Sequence, residues 1–150
     1  MTSEFVKTQR HVTYAGAIKV IEAGLAKAEE LGMNIGIAVT DANGELVACA
    51  RTDGANPRAW RGGMAKANVA AGMGIPTETF LEKRLKQDEV LWRALSGNPD
   101  AMFVPGGFPL LAGGKSVGGV GVSGGHYTDD AKVAKAAADR FAELVEGDES

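Results

Sequence analysis

Apolar residues recur every three or four positions between residues 13 and 31, where Ile18, Ile21, Leu25, Ala28 and Leu31 share a face opposite lysines and glutamates. That period predicts an amphipathic helix, with Thr13 placed to cap it and Gly32 to end it. The period then shortens to that of strands. Ile35–Thr40 and Glu45–Ala50 are short apolar runs on either side of Asn43-Gly44. That pair accepts the positive φ values of a two-residue turn, so a β-hairpin is predicted. Cys49, inside the second run, is expected to pack as a small hydrophobe. Asn56 and Pro57 suit the cap and first position of an Ala-rich helix reaching about Ala71, with Trp60, Met64, Ala67 and Ala71 on one side. Residues 77–95 read as a helix in two pieces, begun by Pro76 and closed by Gly97-Asn98-Pro99. Strands follow at 101–104, 108–112 and 117–123. A last helix covers 128–145, capped by Thr128 or Asp129, with Val133, Ala137, Phe141 and Leu144 as its stripe.

The order α-β-β-α-α-β-β-β-α, with hairpin-like joins, predicts an α+β domain whose sheet is mainly antiparallel. No repeat or internal boundary interrupts it. Residues 12–145 are therefore read as one domain, 1–11 as an N-terminal arm and 146–150 as a loose tail. A chain of 150 residues supports a single core. Its 16 basic and 19 acidic residues leave a net charge of −3, and the basic ones are scattered. The densest group, Lys83, Arg84 and Lys86, is interleaved with Glu78, Glu82, Asp88 and Glu89, which describes a solvated helix face and argues against nucleic-acid binding. No run approaches the roughly 18 to 20 apolar residues of a membrane helix. The first ten residues lack the apolar core of a secretory signal, so a cytoplasmic location is expected. A single cysteine excludes an intramolecular disulfide and a cysteine-based zinc cluster.

From Val104 to Gly125 the pattern changes character: nine glycines and two prolines fall within 22 residues, separated by short apolar runs. This is too hydrophobic for a linker and reads as sheet and loop shaped around something. Gly113-Gly114 reads as a turn between strands, since Gly113-Gly114-Lys115-Ser116 lacks the earlier glycine of a phosphate loop. Pro105-Gly106-Gly107 and Ser123-Gly124-Gly125 stand at strand ends, where consecutive backbone N–H groups are placed to form an anion-binding nest beside the N-terminus of the last helix. They are read as the floor of a pocket.

The hairpin ending Arg51-Thr-Asp-Gly-Ala55, the Ala65-Lys-Ala67 helix, Pro105-Gly-Gly-Phe-Pro109, and Val117-Gly-Gly-Val-Gly-Val-Ser-Gly-Gly125 followed by Asp129-Asp130 together resemble the GlcG/HbpS-like family over roughly residues 12–145. The resemblance implies a profilin-like fold, with a central antiparallel sheet of about five strands flanked by helices, and assembly into homo-oligomers built from dimers. For function it implies a small-ligand-binding protein. Haem is one ligand among relatives, while others are encoded near catabolic genes such as those for glycolate.

Two groups of residues suit such a ligand. Arg51 and Asp53 alternate along one side as the chain leaves the hairpin, and Lys66 sits among alanines on the next helix. They read either as surface ion pairs or as a clamp for an acidic molecule, with Asp53 or Asp41 as orienter or base. Of the two histidines, His11 lies in the polar arm. His126 follows Ser123–Gly125 and precedes Tyr127, placed for axial haem ligation or general acid–base chemistry, with Tyr127 as a stacking or proton-donating partner. Two readings stay open. One is a binding protein for haem or an acidic metabolite at the Gly-rich pocket. The other is a cofactor-independent isomerase, hydratase or lyase acting on a small carboxylate, with Lys66, Arg51, Asp53 and His126 as its catalytic set.

Overall fold

The computed structural model describes residues 3–149. Helix α1 (Tyr14–Glu30) is capped by Thr13, whose side chain accepts the Gly16 N–H, and the chain leaves it through Gly32 at φ +68°. Strands β1 (Gly36–Asp41) and β2 (Leu46–Arg51) form the first hairpin. Its turn is longer than the expected two residues. The Asp41 carboxylate accepts the N–H groups of Asn43 and Glu45, and Gly44 alone takes positive φ, a turn followed by a left-handed glycine. Helix α2 (Ala59–Met73) follows, then α3 (Thr77–Lys83), a short 3-10 turn and α4 (Glu89–Leu95). Strands β3 (Gly107–Ala112) and β4 (Lys115–Ser123) meet at Gly113-Gly114, both at positive φ as a tight hairpin turn requires. Helix α5 (Tyr127–Glu149) closes the chain.

The sheet has four antiparallel strands in the order β2-β1-β4-β3, one fewer than the sequence led us to expect. Residues 101–104 form no strand because their backbone is bonded elsewhere. The Met102 N–H donates to the Ala65 carbonyl, and the Val104 carbonyl accepts from the Thr77 hydroxyl. Helix α5 also continues through 146–149, where a loose tail was expected; Ser150 lies outside the described residues. Its cap position falls earlier than predicted, at His126, whose carbonyl accepts from Asp129 and Asp130.

One face of the sheet packs against α1 and α5. Ile37 and Val39 of β1 and Val120 and Val122 of β4 meet Val20, Ile21, Val133, Ala137 and Phe141 there, all buried. A smaller core beneath α3 and α4 gathers Val69, Phe80, Leu85 and Phe103. Cys49 does not pack inside as expected: it is exposed on β2, an edge strand with no fully buried residue.

The opposite face explains the glycines. Along β4, Val120 and Val122 face α1 and α5, so Gly119 and Gly121 alternate onto the α2 side. A Cβ on Gly121 would overlap the Gly63 carbonyl, and one on Gly119 the Ala67 carbonyl. A Cβ on Gly36 of β1 would overlap the α2 backbone at Ala59 and Trp60. Helix α2 answers with small residues four apart, Ala59, Gly63, Ala67 and Ala71, one above another on its surface. Backbone therefore lies directly on backbone. Most glycines of this stretch are contact residues rather than turn residues.

Candidate functional site

The close approach of α2 to β4 brings the first turns of the helix beside the end of the strand. Gly62 continues this contact, since a Cβ there would stand 2.7 Å from Ser123 Oγ. Outside the contact a cavity of about 520 Å³ opens between Arg58, Arg61 and Gly62 of the helix start, Pro99 and Met102, and Ser123-Gly124-Gly125. A second cavity of about 450 Å³ shares Arg61, Ala65 and Pro99 with the first and extends past Trp60 and Met64 to Asn68, Asp100 and the β1–β2 turn. Together they form a trough within the size range of small-molecule sites.

The trough is electrically asymmetric. Among the described residues no acidic one lines the first cavity, whereas Arg58 and Arg61 do; the second carries Glu45 and Asp100. The Arg61 guanidinium lies 4.7 Å from the centroid of the Trp60 ring, which holds it by a cation–π contact. Arg58 follows a turn organised by Asn56, whose side-chain oxygen accepts the Arg58 N–H at 2.8 Å. Arg51 steadies the same turn by donating to the Pro57 carbonyl at 3.2 Å. Permanently charged, fork-shaped guanidinium groups beside an apolar ring suit a flat ligand with a carboxylate. Sequence reasoning singled out neither arginine. Their spacing of three was the signal, since residues so spaced share a helix face.

Lys66 and Asp130 lie immediately behind the glycine wall. Each side chain is only 2% exposed, and Lys66 Nζ stands 3.2 Å from Asp130 Oδ2. Nζ also donates to the Val122 carbonyl at 2.8 Å, and Asp130 Oδ1 accepts the Gly125 N–H at 2.9 Å. Burial lowers the Lys66 ammonium from its ordinary range and raises the Asp130 carboxyl, each partly offset by the other's charge. Asp130 entered the sequence reading only within the Asp129-Asp130 pair that carries the family resemblance, and nothing local tied it to Lys66. A lysine among alanines was the available clue, since a buried ammonium requires a partner.

The remaining expected residues are dispersed. Arg51 is exposed on β2, with β1 between it and β4, so at least two strand spacings, about 10 Å, separate it from the Lys66 contacts. Asp53 is exposed in the following turn. Asp41 organises the β1–β2 turn at the opposite end of β1 from Ser123, because Gly36 pairs with Ser123 and Asp41 with Gly118. Pro105, Gly106 and Gly107 are buried rather than forming an open floor. The Gly107 N–H donates to the Thr77 hydroxyl at 3.1 Å, and Gly106 accommodates Lys66. Gly124 and Gly125 are exposed and line the first cavity, but the anion that meets the Gly125 N–H is the chain's own Asp130. His126 and Tyr127 are exposed, their rings 4.1 Å apart, with His126 Nδ1 2.8 Å from Thr128 Oγ1. His11 accepts the Ala42 N–H beside Asp41, so the two histidines sit near opposite ends of β1. A strand of six residues separates them by roughly 17 Å, too far to ligate one iron within a chain. Among the described residues, no cluster of three or more His, Cys, Asp or Glu side chains is placed to hold a metal ion.

A family profile described as haem degrading protein HbpS-like matches residues 12–139. Among solved structures, a double mutant of HbpS from Streptomyces reticuli is 32% identical, with a TM-score of 0.82 over 93% of this chain and 92% of that one. Protein ORFY from Klebsiella pneumoniae is 23% identical, with a TM-score of 0.84 over 95% and 98%. PduOC, crystallised as a haem complex, is 21% identical, with a TM-score of 0.77 over 87% and 94%. The last two likenesses concern the fold. With the profile covering most of the sequence, the chain belongs to the HbpS-like family.

Proposed function

We propose that this protein binds a small anionic ligand in the trough along α2, with haem the first candidate. The observation that carries the reading is the meeting of Arg58 and Arg61 with Ser123–Gly125 in a cavity lined by no acidic residue. Haem fits that chemistry through its two carboxylates, which the arginines would hold, while Trp60 and Met64 supply apolar surface. His126 directly follows the glycine wall, although it lines neither cavity, and would be the imidazole to ligate iron. Bound haem would supply iron-centred redox chemistry. The family's description as haem-degrading and the haem complex of PduOC, a protein of the same fold, support this choice. An acidic metabolite would use the same two guanidinium groups.

The carboxylate-processing enzyme finds less support. It requires Arg51, Asp53 and Lys66 around one substrate, but Lys66 is enclosed by Asp130 and Val122 while Arg51 bonds to the Pro57 carbonyl. Self-association belongs to the proposal as well, supported by the exposed Val90, Trp92 and Tyr127, and light scattering tests it. The profilin-like description of the fold and a cytoplasmic location also stay with the proposal. No helix among the described residues is long and apolar enough to cross a membrane.

Titration with hemin, followed by the Soret band and by quenching of Trp60 and Trp92, tests the binding site. Arg58→Gln with Arg61→Gln is expected to weaken binding by at least about tenfold, the loss of roughly one charge-assisted contact. His126→Ala is expected to change the Soret position more than the affinity. Equal affinity in wild type and the double arginine variant would sink the site.

A further inference from the structure

We propose that the buried Lys66–Asp130 pair is a positioning device that fixes the shape of the Ser123–Gly125 wall; this rests on the reading that the wall faces a ligand. The two groups grip the wall at its ends. Lys66 Nζ holds the carbonyl of Val122, the residue just before it, and Asp130 Oδ1 holds the N–H of Gly125, its last residue. The 3.2 Å contact between Nζ and Oδ2 closes a bridge behind Ser123 and Gly124. Between the ends, Gly124 adopts φ +127°, and a Cβ there would stand 2.7 Å from the Asn34 carbonyl. Gly106 leaves room for the ammonium, since its own Cβ would stand 2.9 Å from Nζ.

An exposed, glycine-rich loop is ordinarily among the mobile parts of a domain. Here it is tied to α2 through Lys66 and to α5 through Asp130. An apolar pair in the same volume would hold the two helices together about as well. It would offer nothing to the Val122 carbonyl or the Gly125 N–H. The charged pair therefore specifies one loop conformation, where apolar packing would leave several. Neither group touches the cavity, so both are positioning residues rather than catalytic ones.

The test compares wild type with Asp130→Asn, Lys66→Met and the neutral double variant Lys66→Met, Asp130→Leu, using amide hydrogen exchange by NMR together with hemin titration. The double variant carries no buried charge and serves if either single variant fails to fold. Exchange at Gly125, whose N–H the pair holds, is expected to accelerate by at least about tenfold while β1 amides keep their protection. Hemin affinity is expected to fall by about tenfold. Unchanged exchange at Gly125 in a folded variant overturns the positioning role, and so does faster exchange with hemin affinity unaltered. Wild type failing to bind hemin, or the arginine variants binding as wild type, defeats the reading of the cavity instead. Gly125 exchange then still decides whether the pair orders the wall.

Discussion

At the scale of single residues, two positions invert ordinary expectations about what belongs inside a protein. Thr40 is fully buried on β1, and its hydroxyl has no hydrogen-bond partner among the described residues. A desolvated hydroxyl that recovers nothing is unfavourable. Thr40→Val, nearly equal in shape, is expected to raise the unfolding free energy by about 1 kcal/mol, read from the urea midpoint at constant m. Gly121 is the opposite case, a residue with no side chain that tolerates no addition. Its Cβ would meet the Gly63 carbonyl and the Ala67 N–H, both in backbone that rotamer changes cannot move. Gly121→Ala is expected to destabilise by about 3 kcal/mol or more, while Gly72→Ala, with open space around it, stabilises slightly. Thermal unfolding of the two variants side by side separates packing from propensity.

At the scale of elements, the buried ion pair contributes less to stability than its geometry suggests. Burial shifts both groups toward their neutral forms by more than their mutual attraction restores. Removing one partner strands the other charge, so Lys66→Met alone is expected to lose about 3–5 kcal/mol. Lys66→Met with Asp130→Leu is expected to be neutral or more stable. The pH dependence follows from the lowered Lys66 value. Below 10.5 the unfolded chain holds that proton more firmly than the folded chain, so the lysine contribution to stability grows as pH rises toward 10.5 and shrinks as pH falls through the folded value. Urea titrations from neutral to alkaline pH should show this component in wild type and not in the double variant. The pair was half legible in the sequence. Lys66 stood out, but its partner lies 64 positions away, and no local periodicity joins residues across that distance.

Across the whole molecule, the elements governed by local rules were readable. The period of α1 with its Thr13 cap, the first hairpin and the Gly113-Gly114 turn all follow from neighbours in sequence. Residues 101–104 misled because apolar spacing resembles a strand, whereas their hydrogen bonds go to α2 and Thr77. Cys49 misled because an apolar run does not reveal that its strand lies at the sheet edge. The glycine pattern of β4 was visible but its purpose was not: its alternation with valine encodes a helix lying on the sheet, and recognising that required the matching small residues of α2. The charge distribution carries a further expectation. Net charge is −3, yet the first cavity presents two arginines and no acid. Attraction for an anionic ligand is therefore local and partly exposed, and hemin affinity should fall when salt is raised from about 0.05 to 0.5 M, where screening lengths become shorter than about 10 Å.

The seam between α2 and β4 also has a mechanical meaning. Where Gly63 and Ala67 meet Gly121 and Gly119, backbone lies against backbone, and no side chain there can change rotamer to let the helix shift. Two jaws of the trough, the Arg58–Arg61 turn and the end of β4, are built on opposite sides of that seam. Their spacing behaves as a fixed gauge. A ligand in the proposed site would meet two walls held at a set separation.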